Sequence, residues 1–286
     1  MSGSLGRRIA VAAVAIPLAT GVVYAGGWPL VALLAVLGVL GARELFDLAA
    51  RRGTEAFPAT GYAGAALFPI LVYLARGESR WDATGWVVLA PAAWLLLAFG
   101  VATATRPPER GPLAGLGITV LGAAYAGGLP ATLMLLRYPE GGVSAGAATA
   151  LALLPLVTTW ACDTCAMAGG AGLGGPKLAP ALSPAKTWSG AVSGAVGAVA
   201  AAPLWGTLVV ARGGLDVPLW QLLACGVFVG TAGQFGDLAE SLVKREAGVK
   251  DSGGFFPGHG GVLDRLDSLY WTVPGTAMIL AVGGTV

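Results

Sequence analysis

Long apolar runs separated by short polar loops organise this chain from end to end. They fall near residues 8–26, 28–42, 57–75, 86–104, 112–136, 144–167, 190–211, 217–239 and 268–285. Runs of roughly 17–25 residues are what a helix needs to cross the hydrocarbon of a bilayer. The pattern therefore predicts an all-α, polytopic integral membrane bundle of about nine transmembrane helices. The second run is short, so a helical pair folded back into the membrane also suits that region. With the N-terminus in the cytoplasm and sides alternating, thirteen Arg and Lys residues fall inside and four outside, namely Arg76, Arg80, Arg137 and Arg212. This asymmetry obeys the positive-inside rule and fixes the expected orientation. Arg7 and Arg8 before the first run mimic a signal peptide, but eight further apolar runs favour a retained first span.

Composition agrees: 56% of residues are hydrophobic, 11% are charged and the mean hydropathy is +0.75. A net charge of +2 is too small to imply a nucleic-acid partner. The partner composition implies is the lipid bilayer. The 46 glycines recur inside apolar runs, where small residues let helices approach closely. Cys162 and Cys165 form a C-x-x-C with no second pair to complete a zinc site, and read as small apolar side chains one helical turn apart.

Polar chemistry is distributed unevenly. Residues 1–140 read as membrane scaffold, and residues 141–286 as the catalytic region, with cytoplasmic loops over 169–189 and 240–267. The stretch from Arg43 to Gly53 reads as an interfacial turn whose basic residues meet anionic headgroups. Between Asp237 and Asp267 lie ten of the chain's thirty-two charged side chains and its only histidine, His259. Charge beside hydrocarbon is costly, which makes this mixed-sign segment the candidate site.

Asp237, Ser241 and Lys244 stand at i, i+4 and i+7, on one helical face beside Glu240. They suit a metal–phosphate group, or an ordinary solvated helix end. Next comes Lys250-Asp251, then a run with five glycines in ten positions, whose amides suit an anion. Phe255 and Phe256 would anchor this loop in the interface. His259 is sterically open, for catalysis or for structural hydrogen bonding. Asp264 and Asp267 are one turn apart and flank Arg265 at the start of the last helix, a spacing that suits Mg²⁺. Helix capping accounts for one of these acids. Hard oxygen donors with a single histidine argue against zinc or copper. Upstream, Asp163 sits inside a span, and Lys177, Ser183, Lys186 and Thr187 share the cytoplasmic face with the charged segment. The two loops suit closure over a nucleotide, although no Walker A motif is present.

The run Ser241, Lys244, Arg245, Lys250, Asp251, Pro257-Gly258-His259-Gly260-Gly261, Asp264, Arg265 and Asp267 closely resembles the signature of phosphatidate cytidylyltransferases (CDP-diacylglycerol synthases). Asp163, Ala166, Ser183, Pro184, Lys186, Thr187 and Gly190 resemble that family's upstream region, with Met167 and Ser189 where it has tyrosine and glutamate. The resemblance covers residues 150–270. It implies the reaction of CTP with phosphatidate to give CDP-diacylglycerol and pyrophosphate, in a cell membrane, here a bacterial inner membrane. It also implies Mg²⁺ and a monovalent cation such as K⁺, with Asp237 and Asp264 as metal-binding aspartates. Candidate catalytic residues are then Lys244, Arg245, Lys250, Asp251, His259, Arg265 and Asp267. Candidate substrate-binding residues are Asp163, Ser183, Lys186, Thr187 and Ser241. Rival readings are a CTP-dependent lipid kinase, a CDP-alcohol phosphotransferase and a secondary transporter. Acyl preference and oligomeric state stay open, a homodimer being one outcome.

Overall fold

The computed structural model describes residues 16–76, 85–255 and 260–286. Arg7, Arg8, Arg80, His259 and the first half of the expected first span lie outside those residues. The helices are α1 Ile16–Ala25, α2 Gly27–Ala50, α3 Pro58–Arg76, α4 Trp86–Thr105, α5 Pro112–Arg137, α6 Ala145–Leu173, α7 Trp188–Gly213, α8 Leu219–Glu246, α9 Leu263–Leu266 and α10 Leu269–Val282. Among the described residues seven helices, α2 to α8, are long and apolar enough to cross a membrane, while α1 and α10 are shorter. The all-α membrane architecture holds. The expected count of about nine full spans does not follow from it.

The helices depart from the apolar runs for local reasons. Helix α2 continues past residue 42 to Ala50, because the segment from Ala42 to Ala50 contains neither Pro nor Gly and is built mostly from good helix formers. The expected turn over residues 43–53 shrinks to residues 51–53. Helix α5 widens into a π turn at Ala123–Gly128, just before Pro130 removes an amide from the ladder. Helix α7 does the same at Gly206–Val210, after Pro203. Between α6 and α7 the loop folds into an antiparallel hairpin, β1 Lys177–Ala179 and β2 Ser183–Thr187. This small sheet was not anticipated. Two strands leave both edges open, so Pro184 is tolerated within one of them.

Two compact units emerge. One comprises described residues within Met1–Met134 together with Glu246–Arg265; the other comprises Leu135–Arg245 with Leu266–Val286. In the first, Phe46 packs with Ala42, Ala56, Ala65 and Ala126. Arg106 donates to the carbonyls of Glu55 and Ala56 and lies 4.0 Å over the Phe57 ring, tying down the link between α2 and α3. In the second, α6 and α7 meet along small residues. A Cβ on Gly190 would lie 2.8 Å from the Ala166 carbonyl oxygen, and one on Gly197 would lie 2.6 Å from Cys165 Sγ. The C-x-x-C motif is thus a packing surface for α7, and all three cysteines are free.

Candidate active site

The second unit holds a cavity of about 510 Å³ at the ends of α6, α7 and α8, covered by β2. Ligand sites for small organic molecules occupy roughly 300–1,000 Å³. Helix α6 contributes Asp163 and Met167, the hairpin Lys186 and Thr187, and helix α8 Gln234 and Asp237. Lys186 Nζ forms an ion pair with Asp237 Oδ2, and Asp163 lies within electrostatic reach of both. Thr187 caps α7, its Oγ1 accepting from the Gly190 amide at 3.1 Å. That bond starts α7 directly behind Lys186.

Asp267 faces the same charges. Burial, and then the carboxylate of Asp237, push its pKa up to about 7; Asp163 adds to the rise, while the Ser268 amide and Lys244 oppose it. The Ser268 amide donates to Asp267 Oδ1 at 2.6 Å. Asp264 and Asp267 do not share a face of one continuous helix, as the sequence led us to expect. Asp264 lies in α9, and Asp267 lies in the two-residue turn before α10.

Lys244 Nζ lies 2.9 Å from Glu240 Oε1, both side chains nearly buried on the face of α8. Ser241 is buried beside them. Arg245 donates from Nε to the Leu182 carbonyl at the hairpin tip, 3.4 Å away. Ser183 opens β2 opposite Ala179. Ser183, Ser241 and Lys244 do not line the cavity.

In the first unit the signature loop closes on two carboxylates. Asp264 Oδ2 accepts from the Ser252 and Gly261 amides, each at 2.8 Å. Glu44 Oε1 accepts from the Val262 amide at 2.8 Å, and Glu44 Oε2 from the Leu263 amide at 2.9 Å. Ser252 Oγ is 2.9 Å from both Glu44 Oε2 and Asp264 Oδ2, so its one proton serves one acid at a time. The Ser252 and Gly261 amides, at the two ends of the glycine run expected to suit an anion, are therefore taken by Asp264, and the next two amides by Glu44. Lys250, Asp251 and Arg265 are exposed. Glu44 is the residue that sequence reasoning missed. Continuing the buried face of Leu34, Gly38, Gly41, Leu45 and Leu48 through residue 50 would have put this acid among buried neighbours, where a charge signals a specific partner.

The donor chemistry suits a hard divalent cation. Carboxylates of Asp163 and Asp237 line the cavity, and no histidine or cysteine does so among the described residues. No three such side chains form a metal cage among the described residues. Mg²⁺ does not demand one, because it takes one or two carboxylates and completes its shell with phosphate oxygens and water.

Seven apolar helices, with an acid–lysine cavity in the second unit, describe a multi-pass membrane enzyme. Residues 6–282 match the model of the cytidylyltransferase family. A protein of Brucella suis named phosphatidate cytidylyltransferase is 39% identical over 93% of this chain and 89% of its own length. The Synechocystis protein of that name is 29% identical over 94% of each chain. Phosphatidate cytidylyltransferase 4, chloroplastic, of Arabidopsis thaliana is 33% identical over 88% of this chain and 67% of its own length. The chain belongs to the cytidylyltransferase family, and it is a nucleotidyltransferase.

Proposed function

We propose that the protein converts CTP and phosphatidate to CDP-diacylglycerol and pyrophosphate, assisted by Mg²⁺, at the cytoplasmic face of a bacterial cell membrane. The observation that carries this reading is the cavity in which Lys186 and Asp237 pair beside Asp163, between walls of apolar and small residues. The names of the relatives supply the substrates.

In the reaction a phosphatidate oxygen attacks the α-phosphorus of CTP. The bond from that phosphorus to the α,β-bridging oxygen breaks, and pyrophosphate leaves with the electron pair. The nucleophile is already anionic, so no general base is needed. What must be overcome is repulsion between two anions, which is a task for positioned charge. Lys186 is the cation available in the cavity; exchanging Asp237 for a phosphate oxygen places its charge on the substrate. Asp237 and Asp163 are the carboxylates that would hold the metal. When bound, a divalent ion offsets triphosphate charge and polarises a phosphoryl oxygen. On the resemblance, Asp264 is the second metal-binding aspartate, and Lys244, Arg245, Lys250 and Arg265 attend the phosphates. Roles for Asp251, His259, Asp267, Ser183, Thr187 and Ser241, and for K⁺, rest on the same resemblance.

The test is purified protein with phosphatidate vesicles and CTP labelled in the α-phosphate, with and without Mg²⁺. Label should enter the lipid only with Mg²⁺, and Asp237→Asn should lower the rate at least about 100-fold while leaving the protein monodisperse. Label that stays in CDP while the lipid gains an unlabelled phosphate would establish a kinase, and an undiminished Asp237→Asn rate would overturn the site.

A further inference from the structure

We infer that Glu44, on the second helix of the N-terminal unit, is a positioning residue for the signature loop, setting the backbone that presents Asp264 and Arg265. This rests on the proposed reading for what Asp264 and Arg265 do, but the tether itself stands on geometry. Glu44 is 7% exposed, on a helix otherwise apolar as far as Gly41. A buried carboxylate must find donors, and Glu44 finds them more than 200 positions away: the Val262 and Leu263 amides, one on each oxygen. These are the two residues immediately before Asp264. Ser252 then joins both ends of the loop, with its hydroxyl beside Glu44 and its amide on Asp264.

The loop's glycines fit around this carboxylate. A Cβ on Gly261 would lie 2.3 Å from Glu44 Oε2 and 2.4 Å from Oε1, and one on Gly253 would lie 2.6 Å from Oε1. Gly260 has a φ of +80°, and a Cβ there would lie 2.5 Å from Asp264 Oδ2. The placing of glycine at positions 253 and 261 thus leaves room for an acid from another helix. The loop is not only a cradle for a ligand. Glutamate is specific here because both oxygens accept from backbone amides. Glutamine keeps the shape but turns one acceptor into a donor facing an N–H.

The experiment uses full-length protein in lipid nanodiscs, comparing wild type, Glu44→Gln, Gly261→Ala and the double variant Glu44→Ala/Gly261→Ala. Three measurements are made: hydrogen exchange of the 252–265 segment, kcat and KM for CTP, and thermal unfolding. In Glu44→Gln the Val262 and Leu263 amides should exchange at least about tenfold faster, and kcat should fall at least about 30-fold. KM for CTP should move less than about threefold and Tm by only a few degrees. Gly261→Ala alone should be nearly inactive, and the double variant no worse, because removing the carboxylate removes two of the three close contacts and frees the third, the Ser252 hydroxyl at 2.4 Å, to rotate away. Unchanged exchange in Glu44→Gln overturns the tether. Faster exchange with wild-type kcat, or strictly additive losses in the double variant, overturns the positioning role. A wild-type protein inactive on CTP and phosphatidate would sink the proposed reaction instead, with the exchange data still deciding the tether.

Discussion

In the resting protein Asp267 keeps its proton up to about pH 7, since burial and the charges of Asp237 and Asp163 outweigh the Ser268 amide and Lys244. An acid whose folded pKa stands above its unfolded value of 3.8 binds more protons folded than unfolded between those values. Stability from this residue is therefore full below about pH 4 and declines as pH rises through 7. Asp267→Asn, measured in EDTA to exclude divalent cations, should raise Tm at pH 8 and leave it unchanged near pH 4. Each kcal/mol recovered is worth roughly 2–4 °C. A variant with the same Tm offset at both pH values would show that charge at Asp267 is not the cause. The buried Glu44 carboxylate, by comparison, accepts from two backbone amides, one on each oxygen, and such partners offset the cost of burying it.

At the scale of elements, α6 and α7 are held by the absence of side chains. Gly194 faces Cys162 at a distance where a Cβ would already lie 3.0 Å from the carbonyl oxygen and 3.1 Å from Sγ. Larger residues must force the helices apart, at a cost of about 1–3 kcal/mol for overpacking. Gly194→Leu should lower Tm by several degrees and slow CTP turnover, since Gly190 on the same face lines the cavity. Val196→Leu, at a position 64% exposed to the surroundings of the bundle, should do neither. Equal unfolding temperatures for the two variants would sink the packing account. Much of this was legible in the sequence, because a glycine at every third or fourth position of an apolar run has one physical use in lipid. The hairpin over residues 177–187 was not. Its three- and five-residue strands are too short to carry an alternating pattern, and Pro180 and Pro184 argue against strands.

At the scale of the molecule, apolar composition was enough for the membrane class, and a charge count singled out the 237–267 segment, of which Asp237 alone among the described residues lines the cavity. What no periodicity reveals is pairing across more than 200 positions, as between Glu44 and Val262. The segment Glu246–Arg265 belongs with the N-terminal helices, and nothing in its local pattern says so. The acids of the second unit make a last prediction about loading. The carboxylates of Asp163 and Asp237, side by side in the cavity, oppose a naked triphosphate, and Lys186 alone, tied to Asp237, does not reverse that. CTP without divalent cations should therefore shift Tm by less than about 1 °C, and Mg²⁺ alone should do little more. Together, at 100 times the dissociation constant, they should stabilise by about 2.7 kcal/mol, read as a rise of roughly 5 °C or more. Asp237→Asn should abolish the synergy. An equal shift from CTP in EDTA would mean that the nucleotide binds where these carboxylates are not, and the cavity would lose its claim to the site.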